Sequence, residues 1–185
     1  MDDARDDGEV DSPGLGEPPL LLRRRRDGAS YVVEDDAGRV RATCRYRLGL
    51  LRRIDADGVA HQVKWRWWRS ATLDVIDSAT GRRVLTLRQL TITIDGGAQL
   101  RCATRSKDGG PRTHRADEAR MTVTDSHDRI VMSLTWDGAR ASFGTSTKTF
   151  ERGTAEIDAA AVGSNVGVLT AVAFHAFSTG RGGAG

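Results

Sequence analysis

The stretch AAAVGSNVGVLTAVAFHAF, residues 159–177, decides which fold this chain can adopt. Asp158 stands where a helix N-cap is expected and Gly180 lies beyond the last apolar residue, so the segment is predicted to be one helix. The helix has no polar face, and a helix that is apolar all round must be enclosed by protein or by lipid. The rest of the chain has to explain what encloses it.

A membrane span is one of the two explanations. Nineteen helical residues would be about 28 Å long, which is enough to cross a bilayer. However, the segment has one leucine and no isoleucine, and Gly163, Asn165 and His175 interrupt it. Lipid-facing helices favour large aliphatic residues, and polar side chains in a bilayer carry an insertion penalty. We therefore expect protein to wrap the helix, and we rank a tail anchor second.

The residues between 28 and 158 alternate between polar and apolar, as in Leu90, Ile92 and Ile94 separated by Thr91 and Thr93. Asp and Gly punctuate this pattern and predict chain reversals, because Gly accepts positive φ and Asp caps its own turn. The predicted turns lie at 36–38, 57–58, 77–81, 95–96, 108–109, 125–128 and 137–138. The predicted strands, about twelve, lie at 30–35, 39–47, 50–55, 59–68, 71–77, 82–88, 90–95, 98–104, 118–125, 129–136, 140–145 and 148–157.

A weak internal repeat supports this count. Its unit is a strand, an acidic turn, a basic residue and a second strand, seen as YVVEDDAGRVRATC from Tyr31, LDVIDSATGRRVLTL from Leu73 and MTVTDSHDRIVMSL from Met121. Repeats of this length indicate a stack of hairpins or a closed meander. A barrel of about eight strands is filled by its own side chains, whereas twelve leave room for a helix about 10 Å across. The predicted fold is therefore mainly β, a closed antiparallel barrel of about twelve strands around one apolar C-terminal helix.

These features resemble the tubby-like superfamily, which includes the tubby C-terminal domain, the phospholipid scramblases and the LURP-one-related proteins. The resemblance rests on the repeated strand–turn–Gly–Arg–strand units and on the Gly/Ala-rich helix introduced by Glu156-Ile157-Asp158, and it covers about residues 30–178. It implies a twelve-stranded barrel around a central helix, and phosphoinositide binding or membrane association. Only Glu156 and Asp158 precede the helix, so the calcium-site pattern of scramblases is not recognisable and calcium-dependent lipid transfer is not implied.

The charge is distributed unevenly along the chain. Residues 1–20 hold seven acidic residues and one arginine, a net charge of −6, so the other 165 residues carry 27 bases and 18 acids, a net charge of +9. The predicted organisation is a disordered acidic leader at 1–28, a tubby-like barrel with its helix at 29–178, and a Gly-rich tail at 179–185. A basic barrel favours anionic partners. The alternative is a solvated Arg-rich surface that reflects a GC-rich genome.

Catalytic and metal chemistry find little support in the sequence. Cys44 and Cys102 stand 58 positions apart without a CxxC pattern and are predicted to be buried thiols. The four histidines are scattered, and no metal-spacing pair, GxSxG, Walker or dinucleotide-binding pattern is present. The most site-like cluster, residues 125–128, is better explained as a turn, and His175 as a core histidine. No enzyme activity, cofactor or metal is expected. The acidic start contains no apolar run, so a cytoplasmic location is expected.

The candidate binding surface lies on the second to fourth predicted strands. Val40, Ala42, Cys44 and Tyr46 are predicted to face inward, which turns the intervening arginines outward. If these strands pair consecutively, their outward bases form one patch beside an exposed tryptophan. The candidate headgroup-binding residues are Arg39, Arg41, Arg45, Arg47, Arg52, Arg53, Lys64, Arg66, Trp68 and Arg69. The alternative is that Trp65 and Trp67 belong to the core and the bases only keep the barrel soluble.

The sequence therefore predicts a non-catalytic, monomeric binding module. Its expected partner is an anionic phospholipid headgroup at the inner face of a membrane, or a protein, bound through the Arg/Trp surface. The alternative is single-stranded nucleic acid, since Trp interleaved with Arg offers stacking and phosphate contacts.

Overall fold

The computed structural model describes residues 19–24, 30–48, 50–66, 72–106, 118–141 and 148–178. These residues form twelve strands followed by a helix. The strands are β1 Leu20–Arg24, β2 Ser30–Glu34, β3 Val40–Arg47, β4 Leu50–Ala56, β5 Val59–Arg66, β6 Thr72–Asp77, β7 Arg83–Arg88, β8 Thr91–Ile94, β9 Gln99–Ser106, β10 Glu118–Thr124, β11 Ile130–Ala141 and β12 Lys148–Ile157.

The strands form a closed antiparallel barrel in which each strand pairs with its sequence neighbours and β1 joins β12 to β2. This confirms the predicted fold class. The predicted disordered leader over 1–28 is wrong at Leu20–Arg24, which form β1 and complete the barrel, while residues 25–28 lie outside the described residues. Leu20 and Leu22 point into the core, while Leu21 and Arg23 occupy the alternate positions. Residues 1–18 lie outside the described part of the chain.

The number of strands agrees with the prediction for a partly accidental reason. Asp137-Gly138 was predicted to be a turn between two strands, and this is wrong, because β11 runs through it without a break. Its pairing with β12 continues on both sides, with Asp137 opposite Arg152 and Ala139 opposite Phe150. One predicted strand pair is therefore a single long strand, and β1 restores the total to twelve.

The C-terminal helix begins as predicted but is interrupted early. Asp158 caps it by accepting a hydrogen bond at Oδ1 from the Ala161 N–H at 3.1 Å. After α1 (Ala159–Val162), Gly163 takes φ +65° and a 3-10 turn, Gly163–Asn165, redirects the chain into α2 (Val166–Ser178). The predicted helix over 159–177 is therefore confirmed, with a short 3-10 turn inside it where Gly163 adopts a conformation that glycine takes without strain.

The predicted enclosure of the helix by the strands is confirmed for α2. Every residue from 166 to 177 is buried, whereas residues 160, 161, 163 and 164 remain exposed at the end where the chain enters. Buried Thr170 satisfies its hydroxyl by donating to the Val166 carbonyl at 2.7 Å. By length and composition alone, Ala159–Phe177 could cross a membrane. Burial inside the barrel accounts for the same apolar composition.

Side-chain size sets the position of α2 within the barrel. The helix lies against β2, β3, β4 and β12, where the inward side chains include Ala42, Cys44, Ala56 and Ala155. The inward side chains of β6 to β10 are larger and fully buried, among them Leu73, Leu85, Ile92 and Met121. Small residues let the helix approach one wall closely, and large ones fill the space left at the other.

The three sequence repeats are three equivalent hairpins, β2–β3, β6–β7 and β10–β11. Each hairpin has a register shift directly before its turn, at Val33/Glu34, Val75/Ile76 and Val123/Thr124. Each turn then opens on an aspartate, at Asp35, Asp77 or Asp125. The barrel therefore divides into three units of four strands, with the same hairpin at the centre of each.

Candidate functional site

The outer face of β3, β4 and β5 carries most of the candidate binding residues, and we call it the β3–β5 surface. The three strands pair consecutively, as the prediction required, and the register places Arg45 opposite Arg53 and Arg53 opposite Gln62. Eight of the ten candidates are described: Arg39, Arg41, Arg45, Arg47, Arg52, Arg53, Lys64 and Arg66. Trp68 and Arg69 lie outside the described residues, as does Trp67.

Side chains of β3 alternate between inward and outward positions from Ala42 onward, as predicted, but the first residue of the strand does not follow this pattern. Ala42 and Cys44 are buried and Tyr46 is half-buried, whereas Val40 is 51% exposed, so its predicted inward orientation is wrong. The register shift between Val33 and Glu34 lies opposite this point and changes the phase of the strand. Arg45 and Arg47 are exposed as predicted.

Five of the eight arginine and lysine candidates are held by carboxylates. Arg41 Nε lies 2.8 Å from Asp57 Oδ1, and Asp55 lies between Arg53 at 2.7 Å and Arg45 at 3.7 Å. Two more pairs are Arg39 with Asp35 and Arg66 with Asp74, both at 2.7 Å. Four aspartates therefore neutralise half of the charge that the eight bases bring to this face.

Asp35 shows how firmly one of these pairs is built. Its carboxylate accepts the Arg39 backbone N–H at 2.9 Å and the Arg39 Nε at 2.7 Å. These hydrogen bonds, the backbone one first, lower the pKa of the Asp35 carboxyl below 3.8, although burial opposes them. The Arg39 guanidinium is therefore committed to its own turn.

Of the remaining three bases, Arg47 and Arg52 lie on the two strands joined by the β3–β4 connection, and Lys64 lies on the next strand, β5. Among the described residues, Arg47, Arg52 and Lys64 enter no ion pair. Leu48, between Arg47 and the start of β4, is 92% exposed and has φ +52°. The sequence reasoning missed Leu48, because it considered only the charged and aromatic residues of this region. An apolar residue next to Gly49 in a connection between two strands was the available signal.

Trp65 belongs to the interior. Its Nε1 donates to the Leu51 carbonyl at 2.9 Å, and its ring meets the His175 ring edge-on with centroids 5.3 Å apart. His175 is buried and also lies against Tyr46, at 5.7 Å. This confirms His175 as a core histidine and favours the alternative interpretation of Trp65 as a core residue.

The cluster at residues 125–128 is a turn, as predicted. Asp125 Oδ1 accepts the backbone N–H groups of His127 and Arg129 at 2.9 and 3.0 Å. The bond from the His127 N–H is the largest cause that lowers the pKa of the Asp125 carboxyl below 3.8. His127 is exposed, and the Asp125 carboxylate binds backbone N–H groups of the turn and not the His127 ring.

The two cysteines confirm the predicted buried thiols. Cys44 and Cys102 are both free and buried, and desolvation raises the pKa of each thiol to about 12. Thiols in this state are poor nucleophiles and poor metal ligands. Within the described ranges, no group of three His, Cys, Asp or Glu side chains could hold a metal ion.

The fold and this surface define a class: a closed twelve-stranded antiparallel barrel with one apolar C-terminal helix, consistent with a tubby-like barrel. No protein-family model, curated protein or solved structure matches the chain.

Proposed function

We propose that this chain is a non-catalytic binding module that associates peripherally with anionic lipid headgroups through the β3–β5 surface. The observation that carries the proposal is the exposed Leu48, with the unpaired bases Arg47 and Arg52 on the two strands that it connects and Lys64 on the next strand, β5. An apolar tip among cations suits the boundary between lipid headgroups and acyl chains. The consistency of the barrel with the tubby-like superfamily, whose members bind phosphoinositides or associate with membranes, supports the same function at the cytoplasmic face of a membrane.

The strength of this association can be estimated from the structure. Each base near an anionic membrane contributes about 1 kcal/mol, and burying a leucine side chain contributes about 1.5–3 kcal/mol. Three unpaired bases and Leu48 therefore supply about 5 kcal/mol, which corresponds to a dissociation constant on the order of 0.2 mM. This is a weak, reversible association that salt weakens further.

The ion pairs provide the matched controls for a test. Arg47→Gln, Arg52→Gln and Lys64→Gln together remove the unpaired bases, whereas Arg41→Gln with Asp57→Asn and Arg53→Gln with Asp55→Asn remove ion pairs from the same surface without changing its net charge. We expect the triple variant to lose at least tenfold in co-sedimentation with phosphatidylglycerol vesicles, and the ion-pair variant to lose much less. Equal loss in both, or equal binding of the natural chain to phosphatidylcholine vesicles, would refute the proposal.

The same variants separate the other partners. Salt-sensitive retention on single-stranded oligonucleotides without vesicle binding would favour the nucleic-acid alternative. The core position of Trp65 removes one of the aromatic rings on which that alternative relied. A protein partner remains an alternative for the same surface.

A further inference from the structure

The outer wall of the barrel contains a groove of about 740 Å³ along β7, most of it outside the β3–β5 surface. Arg66, Thr72 and Arg88 lie in one row across β5, β6 and β7, and Thr86 and Thr93 lie in the next. Arg83 and the β8–β9 turn at residues 95–97 close the other end. A volume of this size is typical of small-molecule sites.

The floor of the groove is held in place by Asp74. This carboxylate, mostly buried, accepts the Thr86 hydroxyl at 2.7 Å and binds Arg66 twice, through Nε at 2.7 Å and Nη2 at 3.0 Å. Because the Thr86 proton points to Asp74, its oxygen lone pairs are left for a donor in the groove. The Arg66 guanidinium is fixed by the same carboxylate, so this end of the groove is organised before any ligand arrives.

Charge and polarity both favour an anionic, hydroxylated ligand. Three arginines and Asp95 line the groove, and Asp74 and Arg82 lie next to it in ion pairs with Arg66 at 2.7 Å and with Asp95 at 3.3 Å. Ile94 is the one apolar side chain among the described residues that line it. Arg83 and Arg88 are five residues apart on one strand, which separates their Cα atoms by about 17 Å. Long side chains can lean from the two ends toward a shorter ligand between them.

From this arrangement we infer that the groove binds a small, soluble, hydroxylated molecule with an anionic group at each end, such as a sugar bisphosphate. Arg88 holds one phosphate together with Nη1 of Arg66, the guanidinium nitrogen that Asp74 does not engage, and Arg83 holds the other phosphate. Guanidinium groups bind phosphate through paired, charge-assisted hydrogen bonds. The hydroxyls of Thr72, Thr86 and Thr93 face the polyol between the two phosphates. This site does not depend on the membrane function proposed above.

Calorimetric titration with fructose 1,6-bisphosphate and fructose 6-phosphate, at matched ionic strength, tests the inference. We expect the bisphosphate to bind roughly tenfold or more tightly than the monophosphate, since one further charge-assisted contact is made. Arg83→Gln should reduce the affinity for the bisphosphate to that for the monophosphate. Arg88→Gln should reduce the affinity for both sugars. Arg101→Gln, an exposed arginine on β9 that does not line the groove, is the control and should change neither.

A second comparison tests the polar floor. Thr93→Val removes a groove hydroxyl, and Thr91→Val removes one on the same strand that does not line the groove. Only Thr93→Val should reduce the affinity for the bisphosphate. Equal affinity for the two sugars, or undiminished binding by Arg83→Gln and Arg88→Gln, would overturn the inference.

Vesicle binding distinguishes this site from the β3–β5 surface. The Arg83→Gln and Arg88→Gln variants should co-sediment with anionic vesicles like the natural chain, and the Arg47/Arg52/Lys64 variant should bind the bisphosphate normally. If Arg83→Gln and Arg88→Gln instead abolish vesicle binding, the groove takes a lipid headgroup and the assignment to a soluble ligand is wrong.

Discussion

Replacing Gly167 by alanine tests whether α2 is held against the barrel wall. Helix propensity alone would make this substitution stabilising by about 1 kcal/mol. A Cβ at this position, however, would lie 2.9 Å from Asp57 Oδ2, 3.0 Å from the Arg41 carbonyl oxygen and 3.2 Å from Ala56 Cβ. All three atoms belong to the wall formed by β3, β4 and the turn that follows β4.

Neither oxygen can withdraw freely. The Arg41 carbonyl accepts the Asp57 backbone N–H at 2.9 Å, and the Asp57 carboxylate is bound to Arg41 Nε at 2.8 Å. Overpacking of this kind costs about 1–3 kcal/mol. After the gain of about 1 kcal/mol in helix propensity, the net loss should be about 0–2 kcal/mol, which lowers the melting temperature of a domain of this size by up to roughly 8 °C.

Thermal unfolding of a double-mutant cycle with Asp57→Gly identifies the contact responsible. Asp57 has φ +48°, which glycine adopts readily, so Asp57→Gly removes the carboxylate without straining the turn. In that background Gly167→Ala should cost at least 0.5 kcal/mol less than in the natural chain, by about the usual size of a contact coupling. A rise in melting temperature for Gly167→Ala alone would show that the helix does not touch this wall, and the enclosed-helix architecture would fail with it.

Three further predictions concern charge and reactivity. The Cys44 and Cys102 thiols, whose pKa is raised to about 12 by burial, should not react with a thiol reagent in the native protein at neutral pH, but both should react in denaturant. If the native protein reacted as fast as an exposed free cysteine, the thiols would not be buried. The lowered pKa values of Asp35 and Asp125 mean that their ionised forms stabilise the fold above the ordinary value of 3.8 and that this contribution is lost as pH falls through the lower folded values. The double variant Asp35→Asn/Asp125→Asn should therefore lose less stability than the natural chain between about pH 5 and about pH 3, measured by denaturant unfolding; parallel losses would refute this. Deleting residues 1–18 removes a net charge of −6, so vesicle binding should strengthen at low salt and converge with that of the full chain at high salt, and no difference at low salt would count against an electrostatic association.

The fold could be predicted from sequence because its deciding features are local. An apolar segment without a polar face has to be enclosed, and period-2 alternation between Asp/Gly turns specifies antiparallel hairpins. The misassigned elements depend on long-range pairing. Leu20–Arg24 sits among prolines and arginines and becomes a strand only because β12 and β2 lie on either side of it. Asp137-Gly138 has the composition of a turn, but pairing with β12 keeps it extended.

The sequence allowed the position of the candidate site to be predicted, but not which of its arginines are neutralised by ion pairs. Consecutive pairing of β3, β4 and β5 follows from short connections, so the outward arginines were correctly brought to one face. Their partners were not foreseen, because Asp35 and Asp57 were interpreted only as turn residues. Asp35 binds Arg39 at the end of its own turn, and Asp57 binds Arg41 of the neighbouring strand β3. Which bases remain unpaired is therefore a property of register, which the sequence pattern leaves open.

The internal repeat supplies an argument that Leu48 serves binding and not folding. Leu48 follows β3 and Gln89 follows β7, so the two residues occupy the same place in equivalent hairpins, and both are left-handed, with φ +52° and +54°. The backbone of this connection therefore accepts an exposed polar residue, and nothing in the fold demands leucine. Leu48→Gln should leave the free energy of unfolding within about 0.5 kcal/mol of the natural value. It should also weaken vesicle binding about tenfold, since the apolar contribution of about 1.5–3 kcal/mol is lost. Unfolding and co-sedimentation should be measured on the same preparation of Leu48→Gln. A marked loss of stability would show that Leu48 is a structural residue, and unchanged vesicle binding would show that Leu48 does not contact the membrane.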